Sequence, residues 1–234
     1  MMKIVLNPGH LSTDDRGFLG PETEGGNNKK TVALIKKYLD DYDCEVVIVA
    51  QDDGVPFSQL GLKHPDATLF YSHHTNAYNG KARGTEVFFH YGRSLAENIA
   101  QRTATILQTV TRGEKGAKKN NNYFAVINQA VKVGVKYQLM GEIGFHDNPK
   151  ENKLMIEKRD EIAQAIGEEI VKYLKLNKKE VKQVADKKKD LDIAQRWIVD
   201  NGIMQDMKWD EPATRHQMAW WFFDFHKKFI KGDK

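Results

Sequence analysis

The chain has one cysteine in 234 residues, Cys44, which excludes an intramolecular disulfide and any multi-cysteine metal cluster. Cys44 opens a strand-like run, CEVVIVA, and reads as a small buried hydrophobe. Long apolar runs are also missing. None approaches the roughly 20 residues needed to span a bilayer, and with 40% hydrophobic and 29% charged residues the chain reads as soluble and globular, with no membrane partner. At the N-terminus MMKIVLNPGH offers four apolar residues before a polar loop, against the roughly 7 to 15 of a secretory signal. The expectation is a protein made in the cytoplasm without a signal peptide. No nucleic-acid-binding motif occurs either. A formal charge of +4 suits approach to an anionic polymer but is also ordinary for solubility, so nucleic acid is not expected as a partner.

Tryptophan is absent from most of the chain. Trp197, Trp209, Trp220 and Trp221 all lie near the C-terminus, whereas the preceding part draws its apolar content from Ile, Val, Leu, Phe and Tyr. That asymmetry predicts two units with separate cores: 1–176, a lysine-rich linker 177–190 (NKKEVKQVADKKKD), and a small unit 191–234.

In the first unit short β-type runs alternate with helical periodicity. Strands are expected at Lys3 to Leu6, Glu45 to Ala50, Ala67 to Ser72, Gly84 to Tyr91 and across YQLMGEIGF. Helices are expected from about Asn27 to Tyr42, with Val32, Ile35 and Leu39 in one stripe, from about Ser94 to Thr111, and along the stripe Ile162, Ile166, Ile170, Leu174. The stretch Arg112 to Asn122, rich in Gly, Lys and Asn, reads as a mobile surface loop. The fold class is therefore α/β: a single mixed, mostly parallel sheet with helices on both faces, and functional residues at one rim, on the loops that leave the strands.

The last unit reads as an all-α helical hairpin. Ile193, Ala194, Trp197 and Ile198 form one helical face closed by Asn201-Gly202, and Thr214 with Gln217 makes a capping box for a second helix striped by Met218, Phe222, Phe225 and Phe229. So small a unit buries little surface, which makes self-association through these helices an expectation.

Four polar clusters close strands or open a helix: NPGH (Asn7 to His10), ETEGGNN (Glu22 to Asn28), SHHTN (Ser72 to Asn76) and GEIGFHDN (Gly141 to Asn148). Singly each is weak. Together they supply what a catalytic zinc requires, three ligands from the His and carboxylate set plus a separate carboxylate to move protons. Two His and one Glu leave such a site a net positive field.

In these motifs the chain resembles the zinc-dependent N-acetylmuramoyl-L-alanine amidases, the type 3 family. That family has PGH after the first strand, a Glu opening the first helix, S-x-H-x-N after a middle strand and E-x-G-F-x-x-N after a late one. The resemblance implies a Zn2+ cofactor held by His10, Glu24 and His74, with Glu142 as the catalytic carboxylate, and peptidoglycan as the substrate. Glu24 is preferred to Glu22 because the family pattern puts an Asn four residues after the ligand, where Asn28 stands, a spacing that also places both on one helical face. His74 is preferred to His73 because it holds the third place of the family's S-x-H-x-N pattern in Ser72 to Asn76; neighbours on an extended segment face opposite ways, so only one of the two reaches the metal. Asn7 stands where the family commonly has Asp. As an acceptor for the His10 ring an Asn carbonyl still serves but lacks the charge, which implies weaker metal affinity.

The implied activity is cleavage of the amide between N-acetylmuramic acid and the L-alanine of the stem peptide. The alternatives are a zinc peptidase acting within the stem and a non-catalytic wall-binding protein. A serine triad on Ser72 and an adjacent His is disfavoured, since adjacent strand residues diverge. The C-terminal segment, WIVDNGI followed by WDEPATRHQMAWWF, resembles one S-layer homology motif, which implies a secondary wall polymer as a further partner. The tryptophans then either fill a two-helix core or dimer contact, or form a sugar-stacking surface led by Trp209. An amidase of this layout looks like a phage endolysin that acts at the bacterial wall after release.

Overall fold

Six strands carry the β-type runs and lie in one sheet: β1 (Met2–Pro8), β2 (Cys44–Ile48), β3 (Leu69–Asn76), β4 (Thr85–Phe89), β5 (Ala117–Lys119) and β6 (Tyr137–Phe145), in the order β2-β1-β3-β6-β4-β5. A computed structural model of the chain describes residues 1–14, 17–20 and 22–179. The chain divides into the units Met1–Lys179 and Glu180–Lys234; the expected linker beyond 179, the helical hairpin and its tryptophans lie outside the described residues.

β1 pairs in parallel with β2 and β3, and β3 with β6, while β4 runs antiparallel to β6 and parallel to β5. The sheet is thus mixed and mostly parallel, as expected. Strand alternation separates two cores. One face carries Ile4, Leu6, Leu69, Tyr71 and Leu139 and is covered by helices α1 (Glu24–Leu39), α2 (Arg93–Ile106) and α5 (Arg159–Leu174). The opposite face carries Val5, Phe70 and Met140 and is covered by α3 (Ala125–Lys132) and a short 3-10 helix, Phe57–Leu62, through Val126, Ile127, Ala130 and Leu60. Helices therefore lie on both faces.

The stripe Val32, Ile35 and Leu39 anchors α1 and is fully buried, each side chain contributing about 1.5–3 kcal/mol. Its start lies three residues before the expected Asn27, because Thr23 caps it by accepting from Gly26 N at 3.0 Å. The cap places Glu24 in the first turn, where the helix dipole favours a negative charge.

Three other elements differ from expectation. β3 runs on to Asn76, four residues past Ser72, so the SHHTN cluster is strand rather than loop. The stretch Arg112 to Asn122, expected as a mobile loop, contains β5, which pairs with β4 from Val87↔Ala117 to Phe89↔Lys119. The Asn120 side chain then bonds to Asn128 and to Phe124 N. Finally, Asn177 to Lys179, placed by their composition in the linker, stay on the first unit through Asp43 N to Asn177 O and Lys179 N to Asp41 O, both 2.8 Å.

Candidate metal centre and catalytic cleft

The parallel strands bring their C-terminal ends to one rim, where His10 follows β1 and His74 lies near the end of β3. β3 and β6 are in register, His74 beside Glu142, and because the alternation is unbroken both side chains stand on the α3 face. Glu24 arrives from the first turn of α1. One ligand atom from each of His10, Glu24 and His74 can be chosen so that all lie within 4.8 Å of one another. The two imidazole rings meet edge to face with centroids 4.9 Å apart. The neighbours weighed against these residues fall elsewhere. Glu22 is ion-paired to Lys30 and Arg159. His73 points into the opposite core, where its Nδ1 meets Tyr71 OH at 3.2 Å, and burial pushes its pKa down to about 3, so the ring is neutral.

Two glycines make this convergence sterically feasible. A Cβ on Gly9 would fall 2.3 Å from the His74 ring, and one on Gly25 would fall 1.8 Å from Leu11 O, where the loop after β1 crosses the start of α1. The Gly in PGH is therefore the floor against which His74 packs. Gly9→Ala is expected to push that ring aside and weaken metal binding by about tenfold or more, read by chelator competition, while far-UV circular dichroism stays unchanged.

The residues fit a divalent cation. Glu24 is 2% exposed, yet its contacts are long: Thr75 N at 3.4 Å, Asn28 Nδ2 at 3.5 Å and His10 Nε2 at 3.5 Å. Contacts of that length are weak hydrogen bonds, and a buried carboxylate without a strong partner is costly unless a cation compensates it. The donor set of two imidazoles and one carboxylate matches that of zinc sites that keep an open position. On the far side of His10, Asp14 Oδ2 lies 3.8 Å from Nδ1.

Asn7 does not orient His10, contrary to expectation. Its Oδ1 accepts from Ser72 Oγ at 2.6 Å, its Nδ2 donates to Val49 O at 2.7 Å, and Ser72 Oγ in turn meets His74 Nε2 at 3.1 Å. Alternation by two residues puts Ser72 and His74 on one face, so a serine does meet a histidine here. Ser72 is fully buried and gives its proton to Asn7, the reverse of what a nucleophile activated by its histidine requires.

Glu142 lies in the same cleft. Burial pushes its carboxyl up to about 8, and the negative charges of Glu24 and Glu86 add to the shift. Its Oε2 is buried without a hydrogen-bond partner. Glu86, its antiparallel neighbour on β4, is held by Asn76 Nδ2 at 3.1 Å, by Arg112 at 3.4 Å and by Lys118. The cleft itself, about 420 Å³, has the polar groups of His10, Asp14, His74 and Glu142 on one side and an apolar wall of Phe57, Leu60, Phe124 and Val126 on the other.

That wall was missed by sequence reasoning. The eight residues of α3 are too few for a clear helical period, and the only available signal was the apolar spacing of Val126, Ile127, Ala130 and Val131. Asp14 and Glu86 were missed as well, each lying in a stretch without a motif.

Residues 4–175 match the model of the N-acetylmuramoyl-L-alanine amidase family. The chain is 34% identical over 119 residues to an uncharacterized cell wall amidase of Bacillus anthracis; the match takes in 45% of this chain and 21% of that relative, so the chain spans about a fifth of its length. Among solved structures it is similar to the catalytic domain of CwlV, an N-acetylmuramoyl-L-alanine amidase from Paenibacillus polymyxa. The identity is 23%, the TM-score is 0.63, and the match covers 76% of this chain and all of that one. It is also similar to the catalytic domain of the CD27L endolysin targeting Clostridia difficile. Here the identity is 21%, the TM-score is 0.54, and the match covers 74% of this chain and 98% of that one.

Proposed function

The chain belongs to the N-acetylmuramoyl-L-alanine amidase family, and from that premise we propose that it is a zinc-dependent hydrolase of bacterial peptidoglycan, cutting the amide between N-acetylmuramic acid and the L-alanine of the stem peptide. The observation that carries this reading is the convergence of His10, Glu24 and His74 within 4.8 Å in a cleft that also holds the buried, unpartnered oxygen of Glu142.

His10, Glu24 and His74 would hold the zinc ion, which when bound supplies Lewis-acid polarisation of the scissile carbonyl and acidifies the attacking water. Glu142 acts as the general base that accepts a proton from that water and as the general acid that returns it to the departing amine of L-alanine. Its burial suits both tasks, since a carboxyl lifted far above its ordinary range binds and releases a proton near neutral pH. Asn28, four residues along α1, steadies the start of the site by donating from Nδ2 to Gly9 O at 3.3 Å and toward Glu24. The apolar wall of Phe57, Leu60, Phe124 and Val126 excludes water from the side opposite the ligands and strengthens the electrostatic interactions in the cleft.

Purified cell walls incubated with the full chain are expected to release new N-terminal L-alanine, and a chelator is expected to abolish the release until zinc is restored. A different new amine would move the cut into the stem peptide. Binding without any release would favour a wall-binding protein. The setting proposed with this activity is the bacterial wall, attacked in the manner of an endolysin. The fold shared with the CD27L catalytic domain supports that setting, and loss of turbidity when the protein is added to intact cells from outside is the result expected. A secondary wall polymer and self-association through the C-terminal unit remain part of the proposal; deleting residues after Asp190 is expected to change wall retention or oligomeric state.

A further inference from the structure

The chain Val49 O, Asn7, Ser72, His74 has a direction that can be derived bond by bond. Val49 O is an acceptor only, so the group of Asn7 that meets it at 2.7 Å is the donating Nδ2. The amide orientation is thereby fixed, and Oδ1 faces Ser72. A carbonyl oxygen accepts only, so the Ser72 hydroxyl spends its single proton on Asn7 at 2.6 Å. Ser72 Oγ then has only lone pairs left for the His74 ring nitrogen 3.1 Å away, and that nitrogen, Nε2, carries the hydrogen.

We propose that Asn7 and Ser72 are positioning residues for the metal centre: together they hold His74 in the tautomer with its proton on Nε2, which makes Nδ1 the atom that donates to the metal. The inference rests on the zinc reading above and adds to it the ligand atom and the two residues that select it. Both are built in. Asn7 is 1% and Ser72 0% exposed, and they sit side by side in register on β1 and β3. Gly9 limits the room around the ring as well, since a Cβ there would fall 2.3 Å from Nδ1 and Cε1. A histidine ligand is normally oriented by a partner on its other ring nitrogen, and here that partner is a neutral hydroxyl rather than a carboxylate. Of the three proposed ligands Glu24 is then the one that carries a charge.

Long-range 1H–15N correlation spectra of the labelled, metal-free full chain, taken where the imidazole is neutral, read the tautomer directly. The expected result is protonated Nε2 in the wild type and a mixture in Ser72→Ala and in Asn7→Ala. Asn7→Ala is the informative variant, because it touches no proposed ligand; it removes the donor to Val49 O and frees the Ser72 hydroxyl to donate in the other direction. Zinc affinity, measured by chelator competition, is expected to fall roughly 10- to 100-fold in both variants, with circular dichroism unchanged. A wild-type His74 protonated on Nδ1, or variants that keep both the single tautomer and wild-type affinity, would overturn the proposal. A wild-type chain that takes up no zinc overturns the metal reading itself, and is recognised before any variant is made.

Discussion

Glu142→Gln is expected to lower kcat on cell walls by roughly 10²- to 10⁴-fold, the usual contribution of a positioned general acid-base, while zinc content stays at the wild-type level. Gln has the shape of the protonated acid but cannot take a proton from water or return one to the leaving amine. Both halves of the turnover are therefore lost together. None of the three proposed ligands is altered, so metal uptake is the control that separates loss of chemistry from loss of the site. Wild-type turnover in this variant would remove Glu142 from the mechanism.

The same substitution has a stability consequence of opposite sign. Glu142 is a carboxyl whose folded pKa, about 8, lies above its unfolded value because burial penalises the charged form. A raised carboxyl pKa destabilises the fold above the unfolded pKa. The penalty is absent below about 4.5, grows as pH rises and levels off above about 8. Metal-free Glu142→Gln lacks that penalty. Its thermal midpoint is expected to match the wild type near pH 4.5 and to exceed it by a margin that widens toward pH 8, in scans of chelator-treated protein. A functional acid held at a cost to stability is what a strained active site looks like thermodynamically.

Much of the fold and the candidate site was legible because both depend on alternation. YQLMGEIGF became β6 residue for residue; His74 was chosen over His73 by its place in the S-x-H-x-N pattern, and the two-residue repeat explains why the two rings go to opposite faces of β3. The choice of Glu24 over Glu22 followed from the family pattern of an Asn four residues on, which Asn28 meets on the same helical face. What was not legible depends on contacts between segments far apart in sequence. Asn7 was expected to serve His10, three residues away; its partner is Ser72, 65 residues away, and strand pairing alone determines that. β5 is three residues of Ala and Lys whose strand character comes from the edge of β4, with no pattern of its own. Asn148 and Glu151 have the N-x-x-E form of a capping box. Asn148 does cap α4 (Pro149–Glu157), accepting from Lys150 N and Glu151 N, but the Glu151 carboxylate turns away to the backbone of two other segments.

That departure makes Glu151 the residue with the largest expected effect on folding. It is 2% exposed, and its two carboxylate oxygens accept from Gly84 N at 2.9 Å and Phe145 N at 2.8 Å. One side chain from α4 thus ties the residue entering β4 to the last residue of β6, the antiparallel pair that sets Glu86 beside Glu142. Glu151→Ala leaves two buried N–H groups without acceptors, each costing about 1–3 kcal/mol, and opens a cavity that the surrounding strands cannot fill. The expected fall in thermal midpoint is roughly 5–15 °C at about 2–4 °C per kcal/mol for a unit of this size. Glu151→Gln keeps one acceptor and turns an amide donor toward the other N–H, so it is expected to lie between Ala and wild type. Because the tie sits behind the cleft and touches no proposed ligand, zinc affinity in both variants is expected to remain near wild type at temperatures well below their midpoints. A wild-type midpoint for Glu151→Ala would mean that β4 and β6 are held in register by their ladder alone.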